Sequence, residues 1–296
     1  MRFEKEMYIS FFIFALCGVA SGSVNRIANG KLAAPGQFPY MVSIQILGPA
    51  QNLQTRGHRC AGALISYRQA VTTASCMFNY NSSVPQLINS AELRVFAGST
   101  SLYNDVSADF IRPVLNITVH PNFSGLPALV NNIAVITLVT PFPNQVVTPL
   151  SLPAADFNPP EFTLCSVSGW GGINSSELVN AELRFATKYV YNQNLCTLYY
   201  NTLPNTKNIL PSMICAVSYD LRSSNCDSDL GNPLVCGDTF TGVLSVPDRC
   251  SVSSFPEVYT RISNYTTWIR SVSGASKITG QGLVFMFLLF PLTGLF

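Results

Sequence analysis

The strongest constraint on the fold is a succession of short apolar runs, each long enough for a single strand and each closed by Gly, Pro, Asn or Ser. MVSIQI, residues 41–46, sets Val42, Ile44 and Ile46 on one face of a strand. AGALIS, QAVTTAS, LRVFAGS, VLNITVH and IAVITLV follow it, and FTLCSVSG, LRFATKYVY, MICAV and FTGVLSV repeat the style in the second half. The one helix with a convincing pattern is NYTTWIRSV, Asn264 to Val272. Many short strands joined by polar turns build barrels or sandwiches, so the fold is expected to be all-β. The prolines of TPFPNQVVTPLSLP, residues 140–153, suit a crossing between two halves. There is no repeat at a solenoid period and no low-complexity linker.

Both ends of the chain differ from its middle. Arg2 and Lys5 precede the apolar run MYISFFIFALCGVA, which ends at the small residues Ala20, Ser21 and Gly22. That order is the order of a secretory signal, expected over residues 1–22, with 23–26 as a short segment before the main domain. At the other end, LVFMFLLFPLTGLF runs uncharged to Phe296, preceded by KITGQG and by Ser273, Gly274, Ala275 and Ser276. At about 1.5 Å per residue it spans about 20 Å, less than a hydrocarbon core of about 30 Å. Small residues, a polar spacer and a short apolar terminus match a glycolipid (GPI) anchor signal over 273–296. The expected location is therefore outside the cell, at a membrane surface.

Cysteines and sequons agree with export. Of nine cysteines, Cys17 leaves with the signal, so eight remain: Cys60, Cys76, Cys165, Cys196, Cys215, Cys226, Cys236 and Cys250. An even count in an exported chain implies disulfides, among about 105 possible connectivities. No CxxC pair points to zinc, and no metal or cofactor is expected. Asn81, Asn116, Asn122, Asn174 and Asn264 begin Asn-x-Ser/Thr sequons, each expected on a surface loop. The formal charge of +2 comes without a basic block, which leaves nucleic acid no electrostatic footprint.

Several blocks together carry a family resemblance. Arg26 to Gly30, reading RIANG, is followed by FPYMVSIQ, then HRCAGALIS, VTTASC, NNIAVITL, SVSGWG, MICAV, DSDLGNPLVC and YTRISNYTTWI. In order and spacing this resembles a trypsin-like (chymotrypsin-fold) serine protease from about Ile27 to Val272. The resemblance implies two six-stranded antiparallel barrels, about 27–145 and 146–262, with a terminal helix at 264–272. It also implies the pairings Cys60–Cys76, Cys165–Cys236, Cys196–Cys215 and Cys226–Cys250. Arg26–Ile27 resembles an activation junction, whose cleavage would create an ammonium group able to bury against Asp229. His58 stands where some members keep a histidine that holds that acid in the uncleaved form, and His120 stands where the family often has a structural His-Pro.

Such proteases cleave peptides with a Ser nucleophile, a His base and an Asp that orients the base. In the matching blocks, TTASC puts Ser75 at the base position, NNIAV puts Asn132 at the acid position, and SDLGNP puts Leu230 at the nucleophile. A hydroxyl has no proton affinity near neutral pH, an amide carries no charge, and a leucine has no lone pair. The oxyanion-hole donors would be the N–H groups of Ser228 and Leu230, with Ser228 replacing a glycine. Ser224 matches the family's position at the floor of the primary pocket and would offer no charge to a basic side chain. Ser245-Val246-Pro247 matches the edge that in the family pairs with an extended peptide, and its proline has no N–H to give.

The expectation is a secreted, surface-anchored, glycosylated serine protease homologue without proteolytic activity. It would act by binding proteins: proteases, their inhibitors or surface proteins. The alternatives are a weakly active hydrolase with an unorthodox site and a structural or adhesive glycoprotein.

Overall fold

The computed structural model describes residues 30–48, 56–104, 107–174, 177–202, 208–219, 225, 229–246 and 256–274. After the short strand β1 (Lys31–Leu32), six strands make the first barrel: β2 (Met41–Ile46), β3 (His58–Ser66), β4 (Gln69–Thr72), β7 (Leu93–Ala97), β8 (Ile111–Val119) and β9 (Ala134–Leu138). They close in the order β2-β3-β4-β9-β8-β7, all antiparallel. A hairpin of β5 (Phe78–Asn79) and β6 (Gln86–Leu87) stands apart from it. The second barrel contains β10 (Leu164–Asn174), β11 (Glu177–Val190), β12 (Met213–Ser218), β13 (Pro233–Cys236), β14 (Thr239–Val246) and β15 (Glu257–Arg261). Its order is β11-β10-β13-β14-β15-β12, and β12 returns to β11 through Lys188↔Ser218 and Val190↔Ala216. Two closed antiparallel barrels of six strands are thus present, as expected.

Closure explains why strand patterns in the sequence look more apolar than simple alternation. Val42 and Ile44 fill the interior of the first barrel, while Met41, on the opposite face, joins the core between the barrels. Every residue from Met41 to Gln45 is buried, because both faces of this strand are covered. The interbarrel core unites Phe96 and Ile133 from the first half with Trp170 and Val243 from the second. At about 25 cal/mol per Å² of apolar surface, this seam contributes as a core does, and it holds the site residues between the halves. The second barrel has its own interior of Val167, Ile214, Leu234 and Tyr259.

The terminal helix differs slightly from the expected span. Ile262–Tyr265 forms a 3₁₀ turn, and helix α2 begins at Thr266 and runs to Val272. Ile269 is buried in the interbarrel core, and the Ser273 carbonyl accepts from Gln69 Nε2 at 2.8 Å, so the helix end is tied back to the first barrel. A further helix, α1 (Gln193–Asn201), was not expected. Asn192 caps it by accepting the Leu195 N–H at 2.8 Å, while Cys196 and Tyr200, four residues apart, face inward.

The disulfides Cys60–Cys76, Cys165–Cys236 and Cys196–Cys215 are formed. Cys226 and Cys250 lie outside the described residues, as do Arg26–Ile27, Ser224, Ser228, Pro247, the signal run and the apolar tail after Gly274. No helix among the described residues is long and apolar enough to cross a membrane. The sequon residues Asn81, Asn116, Asn122 and Asn264 are exposed; the Asn174 side chain lies outside the described part. Asn116 sits within β8 and Asn264 within the 3₁₀ turn, so exposure, not a loop, is what these two positions share.

Candidate active site

Ser75 is set by a 3₁₀ turn, Ala74–Met77, between β4 and β5. Thr73, in extended conformation, follows β4, and the Cys60–Cys76 bridge pins the turn to β3. Asn132 arrives from the other side of the first barrel, just before β9. Its predecessor Asn131 has φ 54°, a left-handed conformation that asparagine tolerates better than most residues. Asn131 Nδ2 donates to the Asn122 carbonyl at 2.8 Å, and its Oδ1 accepts from the Tyr265 hydroxyl at 2.9 Å. Held in this way, the chain reversal sends Asn132 inward, where it is fully buried.

The two side chains meet. Asn132 Oδ1 accepts the Ser75 backbone N–H at 2.7 Å, and Asn132 Nδ2 donates to Ser75 Oγ at 3.1 Å and to Ser245 Oγ at 2.9 Å. The Asn132 carbonyl accepts from Thr260 Oγ1 at 2.9 Å, so strands of the second barrel hold the residue as well. Both amide hydrogens and the amide oxygen are therefore engaged, which matters because a buried polar group left unmade costs about 1–3 kcal/mol. The cluster is neutral. None of these three side chains titrates near neutral pH.

Leu230 precedes β13 in a tight turn at the barrel seam. Its carbonyl accepts the Ala61 N–H at 2.9 Å, and the half-buried side chain packs against the interior cluster of the first barrel. The Cys76 sulfur, next to Ser75 in the chain, lies 3.9 Å from the Leu230 carbonyl oxygen. The structure therefore brings Ser75, Asn132 and Leu230 to one corner of the seam. Gly231 has φ 85°, and a Cβ there would lie 2.1 Å from the Ala61 oxygen and 2.4 Å from Thr72 Oγ1. The turn thus demands glycine for both conformation and space.

Asp229 is fully buried beside this turn. Its Oδ1 accepts the Gly171 N–H and the Asn232 side-chain amide, each at 2.9 Å. A Cβ on Gly171 would fall 2.1 Å from the Asp229 carboxyl carbon, so β10 approaches the acid as closely as backbone allows. His58 Nδ1 meets Ser43 Oγ at 2.6 Å with its ring against Trp170. His120 packs its ring against Tyr265 and Trp268, and its Nδ1 accepts the Asn122 N–H at 3.3 Å. Burial pushes its pKa below the usual imidazole value.

A second buried cluster escapes the sequence reading. Lys188 Nζ lies 2.8 Å from Glu257 Oε1, with the two side chains 1% and 2% exposed. Asn225 donates its backbone N–H to Glu257 Oε1 at 2.7 Å and its amide to Oε2 at 2.8 Å. The Tyr259 hydroxyl donates to Oε2 at 2.6 Å. Burial, and then the Glu257 carboxylate beside it, push that hydroxyl well above the ordinary phenol range, so it stays a donor. The available signal was register: Ala186, Lys188 and Val190 share the inward face of β11, an apolar alternation interrupted by one lysine.

A model of the family described as Trypsin matches residues 27–269. Granzyme M of Homo sapiens is 29% identical over 273 residues, covering 90% of this chain and 97% of its own length. Trypsin alpha-4 of Lucilia cuprina is 30% identical over 256 residues, with 86% of this chain and 89% of its own length covered. Transmembrane protease serine 9 of Rattus norvegicus is 31% identical over 261 residues, 86% of this chain, but the match spans only 23% of that longer protein.

Proposed function

The chain belongs to the trypsin family, whose reaction is serine-type peptide hydrolysis, and from that premise we propose that it has left catalysis and acts by binding. The observation that carries this reading is the Ser75–Asn132 pair, a hydroxyl and an amide bonded to each other in the place of base and acid. Leu230, the third position, is spent on packing against the first barrel. In a triad enzyme such losses lower turnover by about 10⁶-fold, with about 10³ to 10⁴ over water left from the oxyanion hole and binding. Here even that remainder depends on a hole in which serine replaces glycine at position 228.

The proposed working form is exported and held at a cell surface by a glycolipid attached near Ser273, with protein partners: proteases, inhibitors or surface proteins. Asp229 supports the retained shape through its bonds to Gly171 and Asn232. Cleavage after Arg26 would add the Ile27 ammonium to that acid; a mature N-terminus that keeps Asn25 and Arg26 removes this step from the proposal.

The decisive test is labelling of the native protein with a fluorophosphonate serine probe, beside hydrolysis of a fluorogenic peptide library. No labelling and no turnover above buffer are expected. Labelling that Ser75→Ala abolishes would sink the binding-only reading. Combining Ser75→His, Asn132→Asp and Leu230→Ser is expected to restore little activity, because hole and groove edge stay altered. Release of the protein from cells by a phospholipase that cuts glycolipid anchors tests the attachment separately.

A further inference from the structure

We propose that the outer face of β10, β11 and β12 is a self-association surface, on which a second copy of this chain docks about a two-fold axis. Leu164, Tyr189 and Val217 stand directly opposite one another across the three strands, so they share one face. The barrel interior takes Ala186 and Val190 from the other side of β11. Tyr219 sets its ring 5.1 Å from that of Tyr189 and donates its N–H to the Thr187 carbonyl. Leu164 is 54% exposed and Tyr219 63%. At the edge, Phe162 donates its N–H to the Val190 carbonyl and leaves its ring 74% exposed. Phe162 has φ 63°, in a turn closed by the Thr163 N–H on the Pro160 carbonyl, at a position where glycine is usual. A bulky residue held there costs about 1–3 kcal/mol, and the ring so placed stays largely in water. Both effects disfavour the lone chain, and covering the ring offsets them.

The occupant follows from charge. Leu164, Thr187, Tyr189, Val217 and Tyr219 are all uncharged, and an aromatic centre depleted of charge is the composition of a protein interface. A two-fold contact sets residues near the axis against themselves, so a charge there would repel its own copy. Charges stand at the two ends instead. At one end, exposed Glu161 precedes Phe162 and accepts from the Asn192 amide, with exposed Asp238 in the turn after β13. At the other, exposed Lys31 pairs with Phe185, four residues along β11 from Tyr189. A two-fold rotation about the centre lays the acidic end of one copy over the basic end of the other. The sequons leave this face open: Asn81, Asn116 and Asn122 lie in the first half of the chain, Asn264 in the turn before α2, and Asn174 at the far end of the β10–β11 hairpin. The face lies outside the Ser75–Asn132–Leu230 corner, and the inference does not rest on the proposed loss of catalysis.

Sedimentation equilibrium of the secreted protein, at concentrations up to about 100 μM, should show monomers in exchange with dimers. Phe162→Gly removes the ring and suits the left-handed backbone; it should weaken the dimer by about tenfold or more while melting no lower than the wild type at a dilution where both are monomers. Leu164→Arg, at the centre, should abolish the dimer. Lys31→Glu and Glu161→Lys should each weaken it about two- to fivefold at low salt, and the two together should restore it, because the partner then bears the same exchange. A wild type that stays monomeric overturns the proposal, as does a dimer that Phe162→Gly and Leu164→Arg leave intact. Failure of the double exchange to restore the dimer overturns the two-fold arrangement. A Phe162→Gly monomer that melts well below the wild type would make the ring a part of folding and overturn it too. If a monomeric wild type binds phosphatidylcholine vesicles, or another secreted protein, and Phe162→Gly does not, the face has a different occupant and the second copy is ruled out.

Discussion

The Ser75–Asn132–Ser245 cluster and the Lys188–Glu257–Asn225–Tyr259 cluster are both buried and both hydrogen-bonded, yet the first is neutral and the second contains an ion pair. In the neutral corner each partner contributes an ordinary hydrogen bond, worth about 0.5–1.5 kcal/mol net. The corner keeps its shape with hydroxyls and an amide, none of which carries a charge. In the charged cluster, removal of either ion strands the other in the barrel interior. Residues there are bound to one another in a way that residues at the corner are not.

Removing one charge should therefore break the comparison most sharply. Lys188→Met is expected to lower unfolding free energy by about 3–5 kcal/mol, read by denaturant melts at neutral pH. Replacing both partners, Lys188→Met with Glu257→Leu, should recover much of that loss, since an apolar pair of similar volume removes the uncompensated charge. If the double variant is no more stable than the single one, the ion pair is not the reason for the loss.

The turn that joins the two regions should be next. Gly231→Ala forces a Cβ to within 2.1 Å of the Ala61 carbonyl oxygen at φ 85°. A loss of about 2–3 kcal/mol is expected from strain and displaced backbone, measured in the same melts. A loss below about 1 kcal/mol would mean that the turn rearranges freely.

Asn132→Ala acts within the neutral cluster. It leaves the Ser75 N–H without its acceptor and removes both amide donors. The expected cost is about 1–3 kcal/mol, smaller than at Lys188 because no charge is stranded. Were the two variants equally damaging, the contrast between neutral and charged clusters would carry no energetic meaning.

The two clusters also differ in how legible they were. Ser75, Asn132 and Leu230 fell inside blocks that resemble the family's, and that resemblance implied the two barrels, where the strand runs alone left barrel and sandwich open. What could not be read was that Asn132 bonds Ser245, 113 positions away, or that Lys188 meets Glu257, 69 positions away. Such pairs depend on barrel closure and strand register, and a one-residue slip would turn Lys188 outward. Helix α1 was hidden for a different reason: Leu195 and Leu198 are exposed, so apolar residues fall on its outer face as well as beside Cys196 and Tyr200.

His120 should give the smallest effect, and it extends the comparison to an imidazole. Its folded pKa lies below the unfolded value because burial disfavours the imidazolium. The unfolded chain therefore takes up the proton first as pH falls, so the stability contributed by neutral His120 is complete above about pH 6.5 and is lost as pH drops through the depressed folded value. The Asn122 N–H, which donates to Nδ1, would also lose its acceptor on protonation at that nitrogen. The ring is only partly covered, so the slope should be shallow. Thermal melts between neutral and mildly acidic pH should show a decline that His120→Phe flattens, the phenyl ring keeping the contacts with Tyr265 and Trp268. An unchanged slope in His120→Phe would assign the acid sensitivity to other groups, and a slope of opposite sign in the wild type would contradict the burial of neutral imidazole against the terminal helix.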